Sequence, residues 1–319
     1  MEIAVPHIPV LLDKALDLLQ VRRKGIYVDC TTGSGGHSEE ILDRLGNTGQ
    51  LIAVDRDMEA VETVKDRLGL PLKNVHLFHE NFKNLPIVLR RLNISEIDGC
   101  LLDLGVSSGQ LDSPERGFSF RHDGPLDMRM DDRQSTTAAN LVNQLSQQRL
   151  AEVFAQYGEE KSAQKIASEV VQRRKIAKFR TTQDLAELVA KIKGTGGRIH
   201  PATKVFQALR IEVNQELIGL EKFLHQVVEM LALGARLVVI SFHSLEDRIV
   251  KTTFQKESGK CVCFLPGELC SCPRTEHVRI LTKKPVSPTA QEINMNLRSR
   301  SAKLRTVEKI QIKKIEKPG

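Results

Sequence analysis

The sequence predicts an α/β protein, a parallel β-sheet interrupted by an inserted helical domain, and three observations carry that expectation. Short apolar strands alternate with amphipathic stretches through the first hundred residues. Roughly 100 residues then separate the fourth strand from the next helix-strand pair, far more than the loops that normally join such elements. Within that gap the apolar residues recur at helical spacing, so a second, helical domain fills it.

The first four strands are read at residues 26–29, 51–55, 75–79 and 99–104, with helices starting near Ser38, Met58 and Asn84. Residues 105–135 are rich in Gly, Asp, Ser, Pro and Arg and lack periodicity, which predicts a structured loop. From Ser146 to Ile192 the pattern is helical; Thr181-Thr182-Gln183-Asp184 offers an N-cap to the last of these helices, and Gly194 begins its stop. One helix over 212–233 and a fifth strand over 236–241 return the chain to the sheet. A further helix after Leu245, a cysteine-rich segment and a last strand near 304–312 complete it. The expected domains are residues 1–108 and 212–319 for the sheet, the latter with a basic tail, and 109–211 for the insertion.

A chain of 319 residues with 40% hydrophobic content can bury a substantial core. Ordinary Gly and Pro counts and mixed charges exclude collagen, coiled-coil and disordered classes. No apolar run approaches the ~18 residues that span a bilayer, and the first residues lack the pattern of a signal peptide. A cytoplasmic location and no membrane partner are therefore expected.

Cys30 and Cys100 fall in strands, whereas Cys261, Cys263, Cys270 and Cys272 crowd into 12 residues. Four thiolates at that spacing could close a zinc site, but C-x-C is tighter than the usual C-x₂₋₄-C, and ordinary thiols are the simpler reading; no metal is assigned. The net charge of +7 is unevenly spread: from Lys251 onward 15 Lys/Arg face 6 Asp/Glu, and residues 161–204 hold 11 basic against 3 acidic side chains. Two basic regions suggest a long polyanion, with Arg173, Arg174 and Lys175 as candidate RNA contacts; a solvated helix face is the alternative.

After the first strand, Asp29-Cys30-Thr31-Thr32-Gly33-Ser34-Gly35-Gly36-His37-Ser38 forms a glycine-rich turn into a helix. Asp55 ends the second strand 22 residues after Gly33, the separation at which a carboxylate meets ribose hydroxyls, so a nucleoside cofactor is implied. The third glycine of G-x-G-x-x-G is missing, and so is the Walker lysine. S-adenosylmethionine, with no pyrophosphate, fits better. Phe82 follows the third strand, where it could cover an adenine, and Asp103 ends the fourth, where parallel sheets place ligands.

The segments His7-Ile-Pro-Val10-Leu-Leu-Asp13, Gly33-Ser-Gly-Gly-His37-Ser38, Ala53-Val-Asp-Arg-Asp57, Leu102-Asp-Leu-Gly-Val-Ser-Ser108, Arg116-Gly-Phe-Ser-Phe120, Asp123-Gly-Pro-Leu-Asp-Met-Arg-Met-Asp131, His200-Pro-Ala-Thr203, Phe206-Gln-Ala-Leu-Arg-Ile211 and Ile240-Ser-Phe-His-Ser-Leu-Glu-Asp-Arg248 resemble, in order, the RsmH (MraW) family. That resemblance implies a Rossmann-like S-adenosylmethionine-dependent methyltransferase fold with an inserted helical domain. It further implies methylation of N4 of a cytidine in the decoding centre of 16S rRNA, with free rRNA or the small ribosomal subunit as partner and a homodimer left open. By position it implies cofactor contacts at Gly35, Gly36, His37, Asp55, Phe82, Asp103 and Gln110. For the chemistry, Asp103 is the first choice to position the amine, with Ser107 or His243 as proton acceptor and Phe242 as a stacking face. His243 and Ser244 could instead form a plain turn capped by Ser244, Ser107 could merely cap a loop, and Pro201 could open a helix at its first position. Two other functions compete: a C5-cytosine methyltransferase, which needs a cysteine nucleophile, and a non-catalytic rRNA-binding assembly factor.

Overall fold

The computed structural model describes residues 9–194, 199–263 and 275–314. The chain enters through α1 (Leu12–Leu19) and then alternates β1 (Ile26–Asp29), α2 (Gly36–Leu45), β2 (Gln50–Asp55), α3 (Met58–Leu68), β3 (Val75–His79), α4 (Leu85–Arg91) and β4 (Ile97–Asp103). Six helices follow: α5 (Ser108–Asp112), α6 (Ala138–Gln144), α7 (Gln147–Gly158), α8 (Ala163–Ile176), α9 (Thr182–Lys193) and α10 (Thr203–Asn214). The chain closes with α11 (Leu220–Met230), β5 (Leu231–Ser241), α12 (Ser244–Glu257), β6 (Thr275–Ile280), α13 (Ala290–Met295) and β7 (Lys303–Lys314).

These elements form two compact units, one of residues 1–105 and 217–319 and the other of residues 106–216. In the first, seven strands lie in the order β3-β2-β1-β4-β5-β7-β6. The β1 to β5 pairings are parallel, whereas β7 is antiparallel to both β5 and β6. The strand order reverses between β1 and β4, which makes the carboxyl ends of those two strands the switch point where such sheets receive ligands.

Period-2 alternation explains why these strands are apolar throughout. Val28, Ile52, Val54, Cys100, Leu102, Leu237 and Val239 pack on one face with Leu220, Leu224 and Phe254 of the helices. Their neighbours Tyr27, Leu51, Ala53, Leu101, Val238 and Ile240 pack on the other with Leu16, Leu19, Ile41 and Leu45. A sheet covered on both faces has no solvent side on which to place polar residues. The helical unit has its own core around Phe154, Ile166, Leu185 and Leu209. Its α9 starts as the sequence suggests: the Thr181 hydroxyl accepts from the Asp184 N–H, and the Asp184 carboxylate accepts from the Thr181 N–H.

Several expectations are corrected. The single helix expected over 212–233 is two, because α10 stops at Gln215 (φ 48°) and α11 starts after Gly219 (φ 77°). Asn214 drives the stop: its side chain accepts from the Met130 N–H at 2.8 Å and donates to the Met128 carbonyl at 2.7 Å. Apolar spacing runs through the break, so periodicity alone joins the two helices. β5 starts at Leu231, earlier than 236. Pro201 precedes the first turn of α10, whose N-cap is Ala202; the His200 Nδ1 accepts from the Ala202 N–H. The edge strand β6, with mostly polar residues, and the helices α1 and α13 add to the elements read from sequence.

Candidate functional site

Three parallel strands end in aspartate, Asp29 on β1, Asp55 on β2 and Asp103 on β4, all at the carboxyl edge of the sheet. The turn after β1 ties them together. The Gly33 N–H donates to Asp55 Oδ2 at 2.8 Å, the Asp57 N–H to Asp55 Oδ1 at 2.9 Å, and the Asp103 N–H to Thr31 Oγ1 at 2.6 Å. Asp29, fully buried, accepts from the Ser38 hydroxyl at 2.6 Å and from the Thr31 N–H at 3.2 Å. The carboxylates of Asp29 and Asp55 are therefore held by N–H and hydroxyl donors of this turn and of Asp57, whereas Asp103 is tied to it through its backbone N–H.

Glycine serves this turn through backbone conformation. Gly33 and Gly35 take φ of 51° and 84°, a region that side chains other than glycine's rarely adopt. At Gly36, a Cβ would lie 2.2 Å from the Pro9 ring, so the space it leaves is taken by the chain itself.

Glu246 joins the aspartates. His243 is the N-cap of α12, correcting Ser244: its Nδ1 accepts from the Glu246 N–H, and Glu246 Oε2 accepts from the Phe242 N–H at 2.9 Å. Glu246 is buried, and its other oxygen lies 3.1 Å from His243 Nε2. Burial pushes Asp103 well above the usual carboxylate range, and the negative charges of Asp29 and Glu246 push it further. Asp29 rises to about 6, mainly by burial against the pull of Ser38 and Thr31, with the charge of Asp55 adding to the rise. Asp55 is raised chiefly by burial too. His37 Nδ1 stands 3.7 Å from Asp103 Oδ2, while Asp103 Oδ1 is buried with no hydrogen-bond partner among the described residues.

Buried carboxylates crowded so that Asp29 and Glu246 raise Asp103, and Asp55 raises Asp29, make a site suited to positive charge. A pyrophosphate cofactor would meet repulsion here. A sulfonium nucleoside that also carries an α-ammonium group fits: Asp55 oxygens already engaged by N–H groups retain lone pairs for ribose hydroxyls, and Asp103 Oδ1 lacks the donor that a cation would supply.

The other sequence candidates have the following local surroundings. Phe82 is buried beside Phe223, ring centroids 4.8 Å apart, and belongs to the sheet core. Phe242 is half-buried and packs against Gly105, whose φ is 107°. In the helical unit, Ser107 and Gln110 form a capping box at the start of α5; the Ser107 hydroxyl accepts from the Gln110 N–H, and the Gln110 side chain accepts from the Ser107 N–H. Arg173 donates to the Ala177 carbonyl, Arg174 donates to the Val142 carbonyl, and Lys175 is exposed. Cys30 and Cys100 are buried with sulfurs 3.5 Å apart, and burial holds the Cys30 thiol well above its ordinary pKa. Cys261 and Cys263 follow α12, their sulfurs 3.3 Å apart; Cys270 and Cys272 lie outside the described residues. Sequence reasoning missed Asp29, Thr31, Ser38 and Glu246. Asp29 was findable, since it ends a parallel strand just as Asp55 and Asp103 do.

Among curated proteins, the chain is 46% identical over 309 residues to the ribosomal RNA small subunit methyltransferase H of Halothermothrix orenii, covering 95% of this chain and 98% of that protein. It is 47% identical over 306 residues to the protein of the same name from Caldicellulosiruptor saccharolyticus (95% and 99%) and 45% over 312 residues to that of Carboxydothermus hydrogenoformans (95% and 98%). Residues 4–310 match the MraW methylase family, so nearly the whole chain, both sheet segments and the helical insertion included, belongs to that family.

Proposed function

We propose that this protein transfers a methyl group from S-adenosylmethionine to the exocyclic N4 amine of a cytidine in the decoding centre of 16S rRNA. The acidic cluster at the switch point carries the reading: Asp29, Asp103 and Glu246 create a site that gains stability from a cationic donor. The ribosomal substrate rests on the relatives' names, and the nucleotide and atom on the family resemblance.

S-adenosylmethionine supplies an electrophilic methyl group on positively charged sulfur. Asp55 binds the ribose. The Gly33-to-Ser38 turn orients the donor against β1 and β4. Asp103 holds the attacking amine: a cytosine N4 lone pair is delocalised into the ring, and a carboxylate accepting an N4–H returns electron density to it as positive charge develops. Asp103 in the presence of a cation ionises more readily than alone, so donor binding readies the acceptor. His243 acts as a positioning residue, since its Nδ1 is engaged by the Glu246 N–H. Ser107 is assigned only the cap it forms.

The cysteine-nucleophile alternative finds no support at Cys30 and Cys100, both buried and hydrogen-bonded to each other. Incubation with methyl-labelled S-adenosylmethionine and small-subunit rRNA, followed by nucleoside analysis, tests the reading. Label in N4-methylcytidine is expected. Label on a ring carbon would overturn the amine mechanism, and no transfer to naked rRNA or to assembled subunits would overturn the function.

A further inference from the structure

The connection between β6 and β7, residues 281–302, is absorbed by neither the fold nor the donor site. With Lys303 it carries five basic residues and one acidic. The pairing places it: Asp103 on β4 lies opposite Ile240 on β5, and Ile240 lies opposite Leu304 on β7. Two strand spacings, about 10 Å, therefore separate Asp103 from the start of β7. Because β6 runs antiparallel to β7, with Ile280 opposite Val307 and Thr275 opposite Lys314, the connection leaves and returns at the same edge as Asp103.

The connection is also held in shape. Val286 and Leu304 exchange both backbone hydrogen bonds, at 2.9 and 2.8 Å, which anchors the strand end just after Lys283 and Lys284. Thr289 and Glu292 cap α13 reciprocally, so the one acidic side chain is spent on structure. Asn296 accepts from the Arg298 N–H at 3.1 Å and caps the short 3₁₀ turn Leu297–Ser301. Lys303 and Arg305 turn to Asp247. Lys283, Lys284, Arg298 and Arg300 are exposed, and so are Met295 and Leu297, at 62% and 72%.

From this placement we infer that the β6–β7 connection is an RNA-backbone surface: Lys283, Lys284, Arg298 and Arg300 bind phosphates of the strand that carries the target nucleotide, and Met295 and Leu297 pack against its sugars or bases. The inference rests on the rRNA reading above. Four cations on a hydrogen-bonded scaffold, one strand connection from the acceptor carboxylate, suit a polyanion whose reacting base must come out of its stack. They read no sequence; they set position.

The test compares the wild-type protein with a quadruple Lys283→Ala, Lys284→Ala, Arg298→Ala, Arg300→Ala variant, with small-subunit rRNA as probe. Each lost phosphate contact lowers the slope of log affinity against log salt by about 0.7–0.9. The expected result is a slope reduced by about 2–4 and rRNA binding at least about 10-fold weaker at low salt, with S-adenosylmethionine affinity and melting temperature retained. A Met295→Ser, Leu297→Ser pair is expected to weaken binding without changing the slope. An unchanged slope in the quadruple variant overturns the surface, as does loss of binding to anionic vesicles without loss of binding to rRNA. If the wild-type protein methylates rRNA in the same assay, that failure concerns this surface alone; if it does not, the functional reading itself has failed.

Discussion

Asp103 combines a raised pKa with a buried oxygen that has no partner among the described residues, and both follow from its position at the end of a central strand beside Asp29 and Glu246. Asp103→Ala is expected to lower single-turnover methylation of rRNA by at least ~10²-fold, the low end for losing a positioned base; a near-normal rate at saturating donor would move the acceptor elsewhere. Asp55→Ala removes charge-assisted hydrogen bonds to the ribose worth roughly 1.5–3 kcal/mol, so calorimetry should show donor affinity about 10- to 150-fold weaker. Asp29 has a pH signature. Its carboxyl rises from an ordinary 3.8 to about 6, so the fold favours the protonated form. That contribution is complete below about pH 4 and is lost as the pH rises through 6, a change of about 3 kcal/mol. Chemical unfolding at pH 4 and pH 7 should show the loss in the wild-type protein and not in Asp29→Asn. Donor binding, which rewards the ionised carboxylates, should strengthen over the same interval. The turn glycines and the strand-end residues Asp55 and Asp103 were legible in the sequence, whereas Asp29 was passed over. The hydrogen bonds from Ser38, Thr31 and the Gly33 amide were not legible, because they depend on the exact path of the turn.

A tie between elements is visible on the opposite flank, where Glu257 at the end of α12 receives His225 from α11 and His277 from β6, the latter at 2.7 Å. Burial alone would raise the Glu257 pKa, but the two histidines overcome it and hold it below the usual range. Hydrogen bonding to Glu257 raises His225 against the opposing effect of burial. The carboxylate contributes stability above its ordinary value near 4.3, lost as pH falls through its lower folded value. The imidazolium contributes below about 6.5, lost as pH rises through its higher folded value. The tie is therefore complete between about pH 4.5 and 6.5. Glu257→Gln should cost about 2 kcal/mol at pH 6, the cost of leaving a partly buried charge without its counter-ion, and should flatten both sides of the stability profile. Sequence pattern placed β1 to β4 within two residues because both their faces are buried, which makes them apolar without interruption. It passed over β6, where only one side of the strand is paired and polar residues dominate, and it joined α10 to α11 because helical spacing survives a break made by one asparagine side chain.

At the scale of the whole molecule, each compact unit carries its own positive region, and in the helical unit two of those cations also hold its structure. Arg173 and Arg174 are engaged with backbone carbonyls of their own unit, and Arg173 also lies over the Phe179 ring. Arg174→Ala should therefore lower stability by roughly 1.5–3 kcal/mol, the range for a hydrogen bond to a charged donor. Replacing exposed Lys175 and Lys178 should instead flatten the salt dependence of rRNA binding and leave the melting temperature in place. An unchanged salt slope would make this face solvated surface only. Among the described residues no helix is long and apolar enough to span a bilayer. The sequence by itself determined the parallel sheet, the presence of a helical insertion, the strand-end aspartates Asp55 and Asp103 near the donor turn and the family, because burial on both faces, chain length between strands and local glycine chemistry are written in the order of residues. Only the tertiary structure decided that β7 inserts between β5 and β6, that Phe82 packs in the core, that Asp29 and Glu246 raise the pKa of Asp103, and that the basic β6–β7 connection stands at the edge of Asp103. Those facts depend on distances between residues remote in the chain, where burial and Coulomb repulsion act through space and leave no local pattern to read.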